Sequence, residues 1–224
     1  PYGRGNHYLF DLNRDWFLLV HPETRGRVES ILKWNPQFVL DCHEMGPYDT
    51  YLFSPPREPF NPFLPEESMK WWDLFAKEQA EEFDSKGWSY YTREWNEEMY
   101  PGFGSSWPMF LGAVGVLYEQ AGVDGSRVKR PDGTVMTYRE TVHHQFTSSI
   151  ANLTTIASNR ESLIRDYYEH RKNAAGGGKS RRAAFLFPPS ENRTRFEKFA
   201  SALTFQGIEV EVAGEPFGAR NLTG

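Results

Sequence analysis

Two short apolar runs that end in chemistry-bearing residues constrain this chain more than any other feature. Gln37-Phe38-Val39-Leu40-Asp41-Cys42 is strand-length and apolar, and His43 lies just past its C-terminal end. Ala113 to Gln120 is a second such run, and it delivers Glu119. Runs of this length read as buried strands. In an open α/β sheet, the C-terminal ends of the strands are where sites are built.

The segments around them fit an α/β chain. His21-Pro22-Glu23-Thr24 opens a helix with proline and an acid in the first turn. Val28, Ile31 and Leu32 form its inward face, and it stops near Asn35-Pro36. Residues 47–64 are proline-rich and read as a long surface loop. A helix follows from Pro65 to about Ser85, with Met69, Trp72, Ala76, Ala80 and Phe83 on one face. Trp88 to Thr92 reads as a strand, and Tyr100 to Pro108 as a glycine-rich loop. A turn is expected at Pro131-Asp132-Gly133. A long helix then runs from about Tyr138 to Lys172, through Val142, Phe146, Ile150, Leu153, Ala157, Ile164 and Tyr167.

Asn173-Ala-Ala-Gly-Gly-Gly-Lys has the composition of a flexible linker. The expected organisation is one domain over residues 1–172, a linker over 173–182, and the start of a second α/β domain over 183–224. In that second domain, Ala183 to Phe187 and Ile208 to Val212 read as strands around a helix from Glu191 to Phe205.

Composition narrows the function classes. The 224 residues carry a net charge of −5, and no basic stripe marks a nucleic-acid binder. No apolar run approaches membrane-spanning length. Aromatic residues make up 16%, with seven Trp, which suits a large core or a ring-lined cleft. The single cysteine, Cys42, excludes an internal disulfide and reads as a small buried hydrophobe.

Three motifs carry chemistry. FDLNRDWF, Phe10 to Phe17, sets Asp11, Asn13 and Arg14 among aromatics. It is either a strand end whose Arg pairs with a nearby acid or a pocket for a small carboxylate. In DCHEMG, Asp41 stands two residues before His43, on the same strand face, where it can orient the imidazole. Glu44 points the other way. In YEQAG, Glu119 is either salt-bridged or a general base.

Other patterns argue against rival chemistries. His143 and His144 are adjacent on a helix, about 100° apart, so they do not grip one ion. One is expected to face the core or cap, and the other to be exposed. Glu94, Glu97 and Glu98 with Trp95 read as a solvated face rather than glycosidase carboxylates. YPGFGSSWP lacks the spacing of a nucleophile elbow, and no HExxH is present.

In order, GRGNHYLFDLNRDWF, VLDCHEMG, YPGFGSSWP and VLYEQAG resemble the M14 family of zinc carboxypeptidases, over residues 1 to about 172. The resemblance implies an α/β/α sandwich with a mixed central sheet that lacks its first strands. It implies that Arg4 polarises the scissile carbonyl, that Asn13 and Arg14 bind the substrate's terminal carboxylate, and that Tyr100 caps it. It also implies His43 as third ligand of one Zn2+ and Glu119 as general base, acting on a peptide or peptide-like substrate. The family's first two ligands come from an HxxE motif, and no histidine here has Glu three residues later. Two explanations compete, a degenerate relative and, as the expectation, a fragment whose HxxE precedes Pro1 and which aggregates or remains partly unfolded when expressed alone. The long insert HEMGPYDTYLFSPPREPFNP and the second unit resemble large bacterial members, which implies a secreted or periplasmic location. The second unit resembles the start of a glutamine-amidotransferase-like domain. A zinc amidase or deacylase of the same fold, and a non-catalytic module binding peptide or glycan ends, remain alternatives.

Overall fold

The computed structural model describes residues 5–123, 125–176, 185–188 and 191–218. They fall into two compact units, residues 1–183 and 184–224.

The first unit is built on a mixed three-stranded sheet in the order β1-β3-β2. Strands β1 (Phe38–Met45) and β3 (Val114–Ala121) are the two apolar runs, paired in parallel with His43 opposite Glu119. β2 (Tyr51–Phe53) pairs antiparallel with the other edge of β3. β3 is therefore the middle strand, and all eight of its residues are buried. β1 is only half-buried and has no second strand partner among the described residues.

Alternation sorts the sheet into two faces. Val114, Val116 and Tyr118 look onto an aromatic core of Tyr51, Phe53, Trp71, Trp72, Phe75 and Phe83. Helices α2 (Ser68–Lys86) and α3 (Tyr138–Ala175) cover this face. Gly115 looks the other way, onto Ser105 and Met109 at the entrance to a 3-10 turn, Trp107–Leu111.

Helix α1 (Pro22–Trp34) begins at its proline and ends at Asn35, which is left-handed. Its entry is fixed by buried Asp15, whose carboxylate accepts from the Val20 and His21 N–H groups. α2 ends on left-handed Gly87. α3 starts with a reciprocal capping box between Thr137 and Glu140. It follows a hairpin of β4 (Arg127–Lys129) and β5 (Val135–Thr137), which contains the expected Pro131-Asp132-Gly133 turn.

Several expectations fail, each for a physical reason. The proline-rich stretch 47–64 is not all surface loop: Tyr51, Leu52 and Phe53 form β2 and are fully buried. Trp88–Thr92 is not a strand. Only Tyr91 bridges Leu52, while Trp88 packs its ring on His144. The FDLNRDWF motif is not a strand end but a 3-10 turn, Leu12–Arg14, capped by Asp11. Cys42 is exposed, because it lies on the half-buried strand β1. α3 runs three residues into the expected linker.

The apolar series of α3 does not face the sheet. Val142, Phe146, Ile150 and Leu153 are exposed, whereas Thr141, His144, Thr147, Ser148, Ala151 and Asn152 are buried. The sheet presents polar atoms there: the Tyr118 hydroxyl donates to the Ser148 carbonyl, and Gln120 Oε1 meets His144 Nδ1 at 2.9 Å.

In the second unit, α4 (Arg193–Phe205) forms with Asn192 as its N-cap. Phe185 to Phe187 and Ile208 to Val212 are not strands. A strand needs a neighbour to hydrogen-bond, and none is supplied among the described residues.

Candidate active site

The 3-10 turn, the C-terminal half of β1, which contains His43 rather than ending before it, and the glycine-rich loop meet around Asn13. The Asn13 Oδ1 accepts from the Gly104 N–H at 2.7 Å and from the Trp16 indole at 3.0 Å. Two donors on Oδ1 orient the amide, so Nδ2 faces Asp41 Oδ2 at 3.1 Å and His43 Nε2 at 3.0 Å. His43 Nε2 also meets Asp41 Oδ2 at 2.7 Å. Asp41 and His43 share a face of β1, as two-residue spacing requires, and Asp41 orients the imidazole through Nε2. Any further ligand of His43 is thus directed to the other ring nitrogen, Nδ1.

Arg14 points away from this network. Adjacent residues of a 3-10 turn diverge by about 120°. Its guanidinium lies 4.6 Å over the Phe103 ring, 3.7 Å from Asp11, and remains half-exposed. The Tyr100 hydroxyl donates to the Arg14 carbonyl at 2.8 Å. Tyr100 and Arg14 therefore lie together at the rim, whereas Asn13 is turned inward. Glu119, buried in β3, stands beside His43 in register and on the same face of the sheet. Arg4 lies outside the described residues.

Glycines make these approaches possible. A Cβ on Gly104 would come within 2.7 Å of the Asp41 carboxylate, and one on Gly102 within 2.3 Å of the Tyr100 ring.

His144 is core-facing and His143 exposed. Burial lowers the His144 pKa to about 4. Glu98 departs from its expected solvated position: it is buried and bonded to the Ser106 hydroxyl. Burial pushes its carboxyl up to about 7, against the opposing effect of the two serines, and the charges of Glu97 and Asp41 add to the rise. Trp16 acts as the aromatic anchor beside Asn13 that the sequence suggests, whereas the supporting roles of Gly104 and Ser106 are not singled out from sequence. The one signal for them is the run of small residues Gly104-Ser105-Ser106 ahead of Trp107.

The described residues supply at most one ligand to a metal, His43, and not a complete donor set. Among the described residues, no group of three or more His, Cys, Asp or Glu side chains is placed to hold an ion. His43 and Asp41 bond to each other instead.

The fold and site define a mixed-sheet α/β protein with a polar constellation at the ends of its parallel strands. A crystal structure of a metallo-carboxypeptidase from Burkholderia cenocepacia is similar to the chain with a TM-score of 0.52 and 16% identity. The match covers 69% of this chain and 40% of that one, so the fold is carboxypeptidase-like and the chain corresponds to under half of the neighbour's length. No protein-family profile matches the sequence, and no curated protein does.

Proposed function

We propose that the chain carries part of the active site of a zinc carboxypeptidase that releases C-terminal residues from peptides. The observation that carries this reading is the placement of His43 beside Glu119, in register on adjacent parallel strands, in a carboxypeptidase-like fold. In this reading His43 would supply one ligand to the metal, through Nδ1.

The chain's own groups then divide the work. Glu119 takes a proton from the attacking water as its oxygen bonds the scissile carbonyl carbon. It returns that proton to the nitrogen as the C–N bond breaks and the amine leaves. Arg14, with a planar fork at the rim, pairs with the terminal carboxylate. Its stacking on Phe103 limits the entropy lost on binding. Tyr100 caps the substrate from the same rim, and Arg4 stabilises the oxyanion. The Asn13 side chain is engaged with Asp41 and His43 and its N–H with Asp11, so Asn13 serves the carboxylate pocket by holding the turn that presents Arg14.

The test is release of the terminal residue from peptides with a free or an amidated C-terminus. Glu119→Gln is expected to lower kcat by about 10²–10⁴-fold with peptide binding retained. Arg14→Ala is expected to raise KM by about 10–100-fold for the free acid and to leave the amide unaffected. Unchanged turnover in Glu119→Gln would remove the assigned base. Peptide binding without hydrolysis by the wild-type protein would support a non-catalytic binding module.

A further inference from the structure

We propose that Glu98 is a positioning residue: a buried carboxyl that holds the Gly104–Ser106 loop and, through it, keeps Asn13 against Asp41 and His43. The inference rests on the proposed function only in treating Asn13 and His43 as site residues.

The geometry runs from the interior outward. Glu98 is 1% exposed, and its Oε2 accepts from the hydroxyl of fully buried Ser106. The buried Ser105 hydroxyl lies beside the same carboxyl. The backbone on the Glu98 side is pinned. The Asn61 N–H donates to the Glu98 carbonyl at 3.2 Å, the Asn61 side chain to the Met99 carbonyl at 2.8 Å, and the Arg57 N–H to the Asn96 carbonyl at 2.8 Å.

The loop on the other side is pinned as well. The Trp107 N–H donates to the Phe103 carbonyl at 3.0 Å. The Ser105 carbonyl rests on Gly115 of β3, where a Cβ would approach it to 1.9 Å. The loop is thus clamped between Glu98 and β3, and its Gly104 N–H is the donor that orients Asn13.

The proton follows from what surrounds the carboxyl. The charged groups acting on Glu98 are Glu97 and Asp41, both acidic, and no basic side chain forms an ion pair with it among the described residues. A buried carboxylate without a cation is costly, so the group holds its proton up to about pH 7. Above that pH the Ser106 hydroxyl still donates to the carboxylate, but the buried charge, without a cation, draws in water beside the loop and shifts the Gly104 N–H.

The network has a spectroscopic handle independent of hydrolysis, because the Trp16 indole N–H donates to the same Asn13 oxygen. In the isotope-labelled full-length protein, the Trp16 indole resonance, identified by its loss in Trp16→Phe, is followed from pH 5.5 to 8.5. The expected result is a shift with a midpoint near pH 7. Glu98→Gln should keep the low-pH position throughout, because a neutral amide still accepts from Ser106. Glu98→Ala should be displaced at every pH. A midpoint that survives in Glu98→Gln, or a wild-type resonance that does not move, would overturn the proposal. A peptide-release assay on the same samples reads the proposed function separately. Absent hydrolysis with a Glu98-dependent midpoint would refute that reading and leave the positioning role standing.

Discussion

The two faces of the central sheet use the same strands for opposite ends. On one face, Val114, Val116 and Tyr118 meet the rings of α2 and the buried side of α3. On the other, Gly115 admits a loop backbone, and Asp41, His43 and Glu119 face a polar network. One residue of register separates a packing position from a chemical one. This is why β1 reads Phe-Val-Leu-Asp-Cys-His-Glu-Met: the alternation carries both tasks along one strand. The packed face tolerates loss of volume to a degree. The site face is built by close backbone approach and tolerates almost no gain.

Adjacent positions on β3 give the largest test of that contrast. Gly115→Ala places a methyl 1.9 Å from the Ser105 carbonyl and 3.0 Å from Met109. Expelling the loop should cost about 3 kcal/mol or more. Val116→Ala, one residue on and facing the core, deletes two methyl groups from a fully buried site and should cost about 2 kcal/mol. Denaturant unfolding of both variants measures the difference. A smaller loss in Gly115→Ala than in Val116→Ala would mean that the loop does not rest on β3.

Each face also buries a titratable group that burial shifts into the range between pH 4 and 7, and the two act in opposite directions on stability. Glu98, raised from 4.5 to about 7, binds a proton more tightly folded than unfolded. Its contribution is complete below about pH 4.5 and is lost as pH rises through 7. His144, lowered from 6.5 to about 4, is the reverse: its contribution is complete above about pH 6.5 and is lost as pH falls toward 4. At about 1.4 kcal/mol per pH unit, each amounts to at most about 3 kcal/mol. The wild-type stability should therefore be nearly flat between pH 4.5 and 6.5. Glu98→Gln should make it fall with acid, and His144→Gln should make it rise with acid. Parallel slopes in the two variants would break the comparison.

What could be read from sequence follows the same division. β1, β3, α1, α2 and α3 were legible because each is long, strongly apolar or clearly capped. Asp41 and His43 were placed on one face by spacing alone. β2 was missed because Tyr51-Leu52-Phe53 is only three residues inside a proline-rich stretch, and its burial comes from pairing with a strand 65 or more residues later. The outward apolar series of α3 was illegible because polar atoms of Tyr118 and Gln120 decide which side of the helix turns inward. Glu98 reads as one of three surface acids, since Glu94 and Glu97 nearby are not buried. Only the tertiary placement of Ser106 and Gly115 shows the pocket it fills.

The smallest expected effect lies where the packed face runs out, at Cys42. Its register partner Tyr118 is fully buried, yet Cys42 itself is exposed, because α2 and α3 cover β3 more fully than the end of β1. Cys42→Ser should therefore change stability by no more than about 0.5 kcal/mol. Partial burial and the adjacent Asp41 carboxylate push the thiol up, so alkylation of the native protein is best followed near pH 9. The thiol should be modified more slowly than in the unfolded chain, because its pKa is raised, but without unfolding or any accompanying loss of structure. Complete protection of Cys42 in the native protein would show that this end of β1 is covered in solution, and would extend the closed, packed face to the strand that carries His43.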